Sequence, residues 1–116
     1  MWETLRSGAY MQRASERRAD IMDTATLLRI ACDGAARALG QPVAEGVAAG
    51  RTADLTIIRF ERDFACLPVR DPAASLLTTG TPRIVDTVLV GGEAVVVDGQ
   101  STRVDIAELT AELIRA

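Results

Sequence analysis

Histidine is absent from this 116-residue chain. Histidine is the usual neutral metal ligand and the usual general base near neutral pH. Its absence removes histidine-based metal sites, Ser-His-Asp triads and Cys-His dyads at once. A site built from carboxylates alone is left open, but no Asp/Glu run carries EF-hand spacing. Cysteine is nearly as scarce. Cys32 and Cys66 are too few and too widely spaced for a disulfide framework or a zinc knuckle. Two unpaired thiols in a reduced, cytoplasmic compartment are expected. Aromatic residues make up only 3%, so Val, Leu, Ile and Ala must build the core. No apolar run approaches the roughly 20 residues that cross a bilayer. Trp2, Glu3 and Arg6 leave no room for the apolar stretch of a signal peptide.

What is present is balanced. Hydrophobic residues reach 48% and charged residues 25%, with a net charge of -3. That is the composition of a folded domain, not of a disordered tail. An acidic balance is no footprint for nucleic acid. The basic run Arg13 to Arg18 is broken by Glu16 and followed by Asp20, as on a solvated helix face.

Hydrophobic periodicity divides the chain. Trp2, Leu5 and Ala9 predict a helix over 2–19. Leu27, Leu28, Ala31, Cys32, Ala35, Ala38 and Leu39 form one stripe, predicting a helix over 24–39. Asp23 or Thr24 can cap its start, Gly40 suits its end, and Pro42 stops it. Beyond Gly40 the pattern turns to strands. The run 54–60 (DLTIIRF) predicts a buried strand. Asp71-Pro72 predicts a short helix over 72–78. The runs 84–90 and 93–97, joined by Gly91-Gly92, predict a hairpin with a type I′ turn. That register sets Val88 across from Val95 and Asp86 across from Val97. Asp98-Gly99 is a further turn, and Asp105 with Glu108 predicts a last helix from 105. Helices followed by hairpin strands indicate an α+β fold. The strands are too few to close a barrel or a sandwich.

Each residue that could carry chemistry also has a structural reading. Gly91-Gly92 and Asp98-Gly99 lead into strand and coil, not into a helix N-terminus, so they read as turns and not as a phosphate loop. Cys32 lies in a helix stripe with no base partner, which reads as core packing and not as a nucleophile. Cys66 reads the same way. Asp86, alone in an apolar strand, reads as a polar position on a half-exposed hairpin or as a turn-adjacent hydrogen bond before it reads as an acid catalyst. Thr78-Thr79-Gly80 reads as a helix end. No catalytic, cofactor-binding or metal-ligating residue is assigned.

Four stretches in order resemble the C-terminal region of the amidohydrolase superfamily, in its cytosine deaminase and chlorohydrolase branch. They are ATLLRIACDGAARALG (25–40), EGVAAGRTADLTIIRF (45–60), DPAASLLTTG (71–80) and IVDTVLVGGEAVVVDGQ (84–100). Gly50-Arg51 and Ala53-Asp54-Leu55 stand at the matching glycine turn and strand, and 2–19 looks like the last barrel helix. The resemblance implies a metal-binding (β/α)₈ barrel with a composite β-sandwich. Residues 1–40 would end the barrel, 41–104 would form the C-terminal half of the sandwich, and 105–116 a final helix. It implies a parent that hydrolyses C–N or C–Cl bonds of a heterocycle with one divalent metal, zinc or iron. The family's histidines, acid/base glutamate and barrel aspartate would all precede Met1, so no functional residue carries over. A chain without them is expected to be structural and inactive by itself, with no cofactor of its own. The alternatives are a stand-alone binding or oligomerisation module, or one half of a split enzyme with a barrel-bearing partner encoded upstream. Self-association as a homodimer is expected, and no nucleic-acid or membrane partner.

Overall fold

A computed structural model describes residues 1–43 and 46–115. Glu45, which opens the second of the four stretches, and Ala116, the end of the predicted last helix, lie outside the described residues. The fold is α+β, with an open four-stranded antiparallel sheet.

Helix α1 spans Trp2–Glu16, shorter than the predicted 2–19. Arg17 turns left-handed (φ 52°), and its N–H and that of Arg18 bond back to Ala14 and Arg13. The next helix, α2, covers 24–38 and starts where Asp23 caps it, its carboxylate accepting from Thr26 N–H at 2.8 Å. Gly40 (φ +65°) closes it in the left-handed conformation that the sequence called for. In its middle, Ile30–Gly34 widens into a π turn. One extra residue in a turn rotates everything beyond it by about 100°. Leu27 is accordingly buried and Leu28 and Ala31 are half-buried, but further on Ala36 is half-buried and Ala35 is exposed. The predicted single stripe is therefore broken. Leu39 is left 75% exposed.

Strand β1, Leu55–Ile58, is shorter than the predicted 54–60 because Phe60–Arg62 bends into a 3₁₀ turn. Helix α3, Pro72–Thr78, matches its prediction, with Asp71 accepting from Ala74 N–H at 3.0 Å. Strands β2 (Val85–Val90) and β3 (Glu93–Val97) form the hairpin. Gly91 and Gly92 both have positive φ (58° and 87°), as a type I′ turn requires. A two-residue strand, β4 (Gln100–Ser101), follows the Asp98-Gly99 turn and completes the order β1-β2-β3-β4. Helix α4, Ile106–Arg115, is capped by Asp105, which accepts from Ala107 and Glu108 N–H.

The hairpin register differs from the predicted one. Leu89 faces Ala94, but Val88 faces Val96. Val95 is the extra residue of a bulge, which a pattern of alternating side chains cannot reveal. A second irregularity lies between β1 and β2. The ladder steps from Ile57–Thr87 to Ile58–Val85, leaving Asp86 over.

The core is small. Ala9, Leu27 and Leu77 are buried together, with Leu5, Met22 and Leu28 packed around them. Ile84 and Cys66 are buried beneath the sheet's entry. Two arginines of α1 fasten the helices. Arg6 donates to Leu77 O (3.0 Å) and Gly80 O (2.9 Å), satisfying the end of α3. Arg13 donates to Ile21 O and Met22 O, both at 2.9 Å, holding the link to α2. Gly80 is confined for a different reason: an added Cβ would lie 2.3 Å from Leu76 O. Arg6→Met should therefore lower the unfolding free energy by about 2 kcal/mol, the scale of hydrogen bonds to a charged group. Urea unfolding checks it, with Arg18→Met as control. Arg18 pairs only with the exposed Asp20, and its removal should leave the midpoint unchanged.

Candidate functional site

The densest polar cluster lies where β2 leaves the Pro82–Ile84 turn. Asp86 is buried, at 8% exposure, not half-exposed as the hairpin pattern suggested. The bulge turns it toward the 59–62 segment. Arg62 Nη2 lies 2.6 Å and Arg59 Nη2 lies 3.3 Å from Asp86 Oδ1. The contacts with Oδ1 are ionic and lie off the hydrogen-bond direction. Thr87 Oγ1 donates to Oδ2 at 3.1 Å. Arg62 also reaches Asp98 Oδ1 (3.0 Å) and Val85 O (3.3 Å). The carboxylate is buried and faced by two guanidinium groups, so the cluster acts as a structural clamp. Arg59 and Arg62 were not singled out from sequence. The signal available was a lone aspartate in an apolar strand and two arginines three positions apart after another.

A second network surrounds Asp63. Its carboxylate accepts from Thr81 Oγ1 (2.7 Å) and Ala65 N–H (3.1 Å). These bonds, Thr81's first, hold its pKa below the ordinary carboxylate value. The network ties the 63–66 turn to the segment entering β2.

The cysteines divide. Cys66 is buried, with Sγ 3.7 Å from Thr79 O. Cys32 is exposed, contrary to the core packing expected of it, because none of the described residues covers that side of α2. It lines an open apolar cleft of about 470 Å³ with Leu28, Asp33, Val47, Arg51 and Leu55. A smaller hollow of about 320 Å³ is lined by Met1, Trp2, Thr56, Pro82, Val85 and Val88. Thr78, Thr79 and Gly80 form a helix end, and Gly91-Gly92 and Asp98-Gly99 form hairpin turns. Among the described residues, no three His, Cys, Asp or Glu side chains converge on a point that could hold a metal ion. No described helix is long and apolar enough to cross a membrane.

No family model matches the chain. Individual proteins do. It is 34% identical over 101 residues to a 5-methylthioadenosine/S-adenosylhomocysteine deaminase of Pyrococcus abyssi, covering 87% of this chain and 23% of that protein. The corresponding deaminase of Pelotomaculum thermopropionicum is 30% identical over 112 residues, covering 97% and 26%. A zinc-bound adenosine deaminase from Xanthomonas campestris superposes with a TM-score of 0.85 at 27% identity, over 99% of this chain and 26% of that one. A zinc complex of atrazine chlorohydrolase from Arthrobacter aurescens gives 0.83 at 26% identity, over the same shares. The chain thus spans about a quarter of the length of the proteins it matches. It belongs to the deaminase and chlorohydrolase type of amidohydrolase and corresponds to a C-terminal portion of it.

The clamp generates a contrast. Asp86→Asn strands two cations against one neutral amide and should cost about 3 kcal/mol. Asp98→Asn removes an exposed partner and should cost less than about 1 kcal/mol. Denaturant titration of both variants checks the ordering, and equal costs would place the anchor elsewhere.

Proposed function

We propose that this chain forms the structural end of a metal-dependent amidohydrolase and performs no hydrolysis alone. In this reading 1–40 closes the barrel, 41–104 supplies half of the composite β-sandwich, and 105–116 is a terminal helix. The parent chemistry would be hydrolysis of a C–N or C–Cl bond on a heterocycle, the class to which the names of the relatives point. The observation that carries the reading is the match over nearly all of this chain but only a quarter of each relative.

The donor set agrees with it. Zinc accompanies two of the related structures, and zinc in hydrolases is held by nitrogen, sulfur and carboxylate ligands around an activated water. This chain has no histidine, and its buried carboxylate, Asp86, is already occupied by arginines. These residues do not fit a catalytic metal.

A surface argument points the same way. The chain exposes 8585 Å², where a compact monomer of its mass exposes about 6,100 Å². Its radius of gyration is 16.7 Å, against about 13 Å for a compact chain of this length. An excess of about 2,400 Å² suits a piece that packs against more polypeptide.

Protein dialysed after zinc loading should retain far less than one zinc per chain. It should turn over neither methylthioadenosine nor atrazine above background. One retained zinc per chain together with turnover would overturn the reading.

A further inference from the structure

Residues 63–67 leave the clamp at Arg62 and lie on the surface ahead of α3. Phe64 stands 88% exposed, and Ala65 and Leu67 are exposed beside it. Cys66 turns inward and is only 3% exposed. The backbone bonds of this segment are local. Cys66 N–H donates to Asp63 O (2.9 Å), Leu67 N–H to Phe64 O (3.1 Å) and Ala65 N–H to the Asp63 carboxylate. Asp63 N–H donates to Phe60 O, in the turn just before. Among the described residues, two hydrogen bonds tie the segment to elements beyond that turn. Thr81 Oγ1 donates to Asp63 Oδ2 at 2.7 Å, and Cys66 Sγ lies 3.7 Å from Thr79 O. The exposed Arg83 adds a Coulombic attraction for the Asp63 carboxylate, which water screens.

We propose that 63–67 is a latched flap: the Thr81–Asp63 hydrogen bond holds it shut, and its local opening uncovers the Cys66 thiol while the sheet and helices stay folded. The two ties are unequal. A thiol is a weak donor, so the bond of Cys66 to Thr79 O holds little. A hydroxyl donating to an ionised carboxylate is the stronger kind of hydrogen bond. Apolar burial adds little either, because Cys66 is small and its neighbours Ala65 and Leu67 already face water. Segments with few buried apolar contacts open at free energies well below that of global unfolding. Both ends of the flap are fixed independently of the latch. Arg62 is held by Asp86 and Asp98, and Asp71 by its cap on Ala74 N–H. Lifting 63–67 therefore need not release β2 or α3.

The chain then carries two thiols of different kinds. Cys32 is open to solvent at all times, and Cys66 is reached only when the latch lets go. The latch also joins the flap to the entry of β2, because Thr81 immediately precedes the Pro82–Ile84 turn. The inference concerns a contact within this chain and stands apart from its reading as a structural end. A flap that stays shut would supply no metal ligand.

Thiol labelling with dithiobis(nitrobenzoate) at neutral pH, repeated over urea concentrations below the unfolding transition, tests it. The unaltered chain should label in two phases, one thiol fast and one slow, and Cys32→Ser should remove the fast phase. The slow phase should be nearly independent of urea, because opening a flap exposes little new surface. Thr81→Val should speed it about tenfold or more, the effect of losing a hydrogen bond to a charged group. Thr81→Ser keeps the hydroxyl and should label at the unaltered rate. A slow phase that climbs with the full urea slope of global unfolding would overturn the inference, since Cys66 would then appear only when the whole chain unfolds. Equal slow rates in Thr81→Val and the unaltered chain, or a Cys66 that labels as fast as Cys32, would overturn it equally. Should Thr81→Val fail to fold, the urea slope of the unaltered chain decides the matter alone.

Discussion

Asp86 can stay buried only while arginines face it, and the sheet half of the molecule is arranged around that requirement. A carboxylate taken out of water costs several kcal/mol unless it is paired. The bulge that skips Asp86 in the β1–β2 ladder turns it toward Arg62. The bulge at Val95 then draws the Asp98-Gly99 turn alongside, so that Gly99 N–H donates to Asp86 O at 2.9 Å and Asp98 reaches Arg62. Gly99 suits this place twice over. Its φ of +76° is easy for glycine, and a Cβ there would come within 3.0 Å of Arg62 Nη1. Arg62, paired with both Asp86 and Asp98, thus links the turn after β1, the start of β2 and the end of β3. The helical half is held separately, by the small aliphatic cluster of Ala9, Leu27 and Leu77 and by the hydrogen bonds of Arg6 to the end of α3.

Local chemistry was legible in the sequence. Asp23, Asp71 and Asp105 cap the helices they were expected to cap, Gly40 ends α2, and Gly91-Gly92 makes the hairpin turn. Each is a short-range choice of backbone conformation or hydrogen bond, written in neighbouring residues. The misreadings share a different cause. The π turn at Ile30–Gly34 shifts the phase of α2, and the bulge at Val95 shifts the hairpin. A single inserted residue in a regular element has no composition of its own. The burial of Asp86 depends on Arg59 and Arg62, which are distant in sequence and come near only through β1–β2 pairing. Cys32 looked like core because its helix carries an apolar stripe, but a stripe tells only that cover is wanted, not that this chain provides it.

Lack of cover connects structure to function here. Leu39 beyond the π turn, the edge of β1 and the face of α4 formed by Ile106, Leu109, Leu113 and Ile114 remain open among the described residues. The related deaminases and chlorohydrolase are about four times as long as the share this chain represents. An excess of surface, together with the absence of a metal-ligand cluster among the described residues, is what supports the proposal that the chain contributes shape and packing to such an enzyme.

Two anchors and several uncovered elements imply very uneven local stability. Native-state hydrogen exchange, read residue by residue, measures this directly. The amides of β2 and β3 around the Asp86 clamp, and those of α2 near Leu27, should exchange slowest, at the rate of global unfolding. The amides of α4 and of 35–38 should exchange orders of magnitude faster. Equal protection across α4, 35–38 and the hairpin would contradict the account, because it would mean that the chain covers its own open faces.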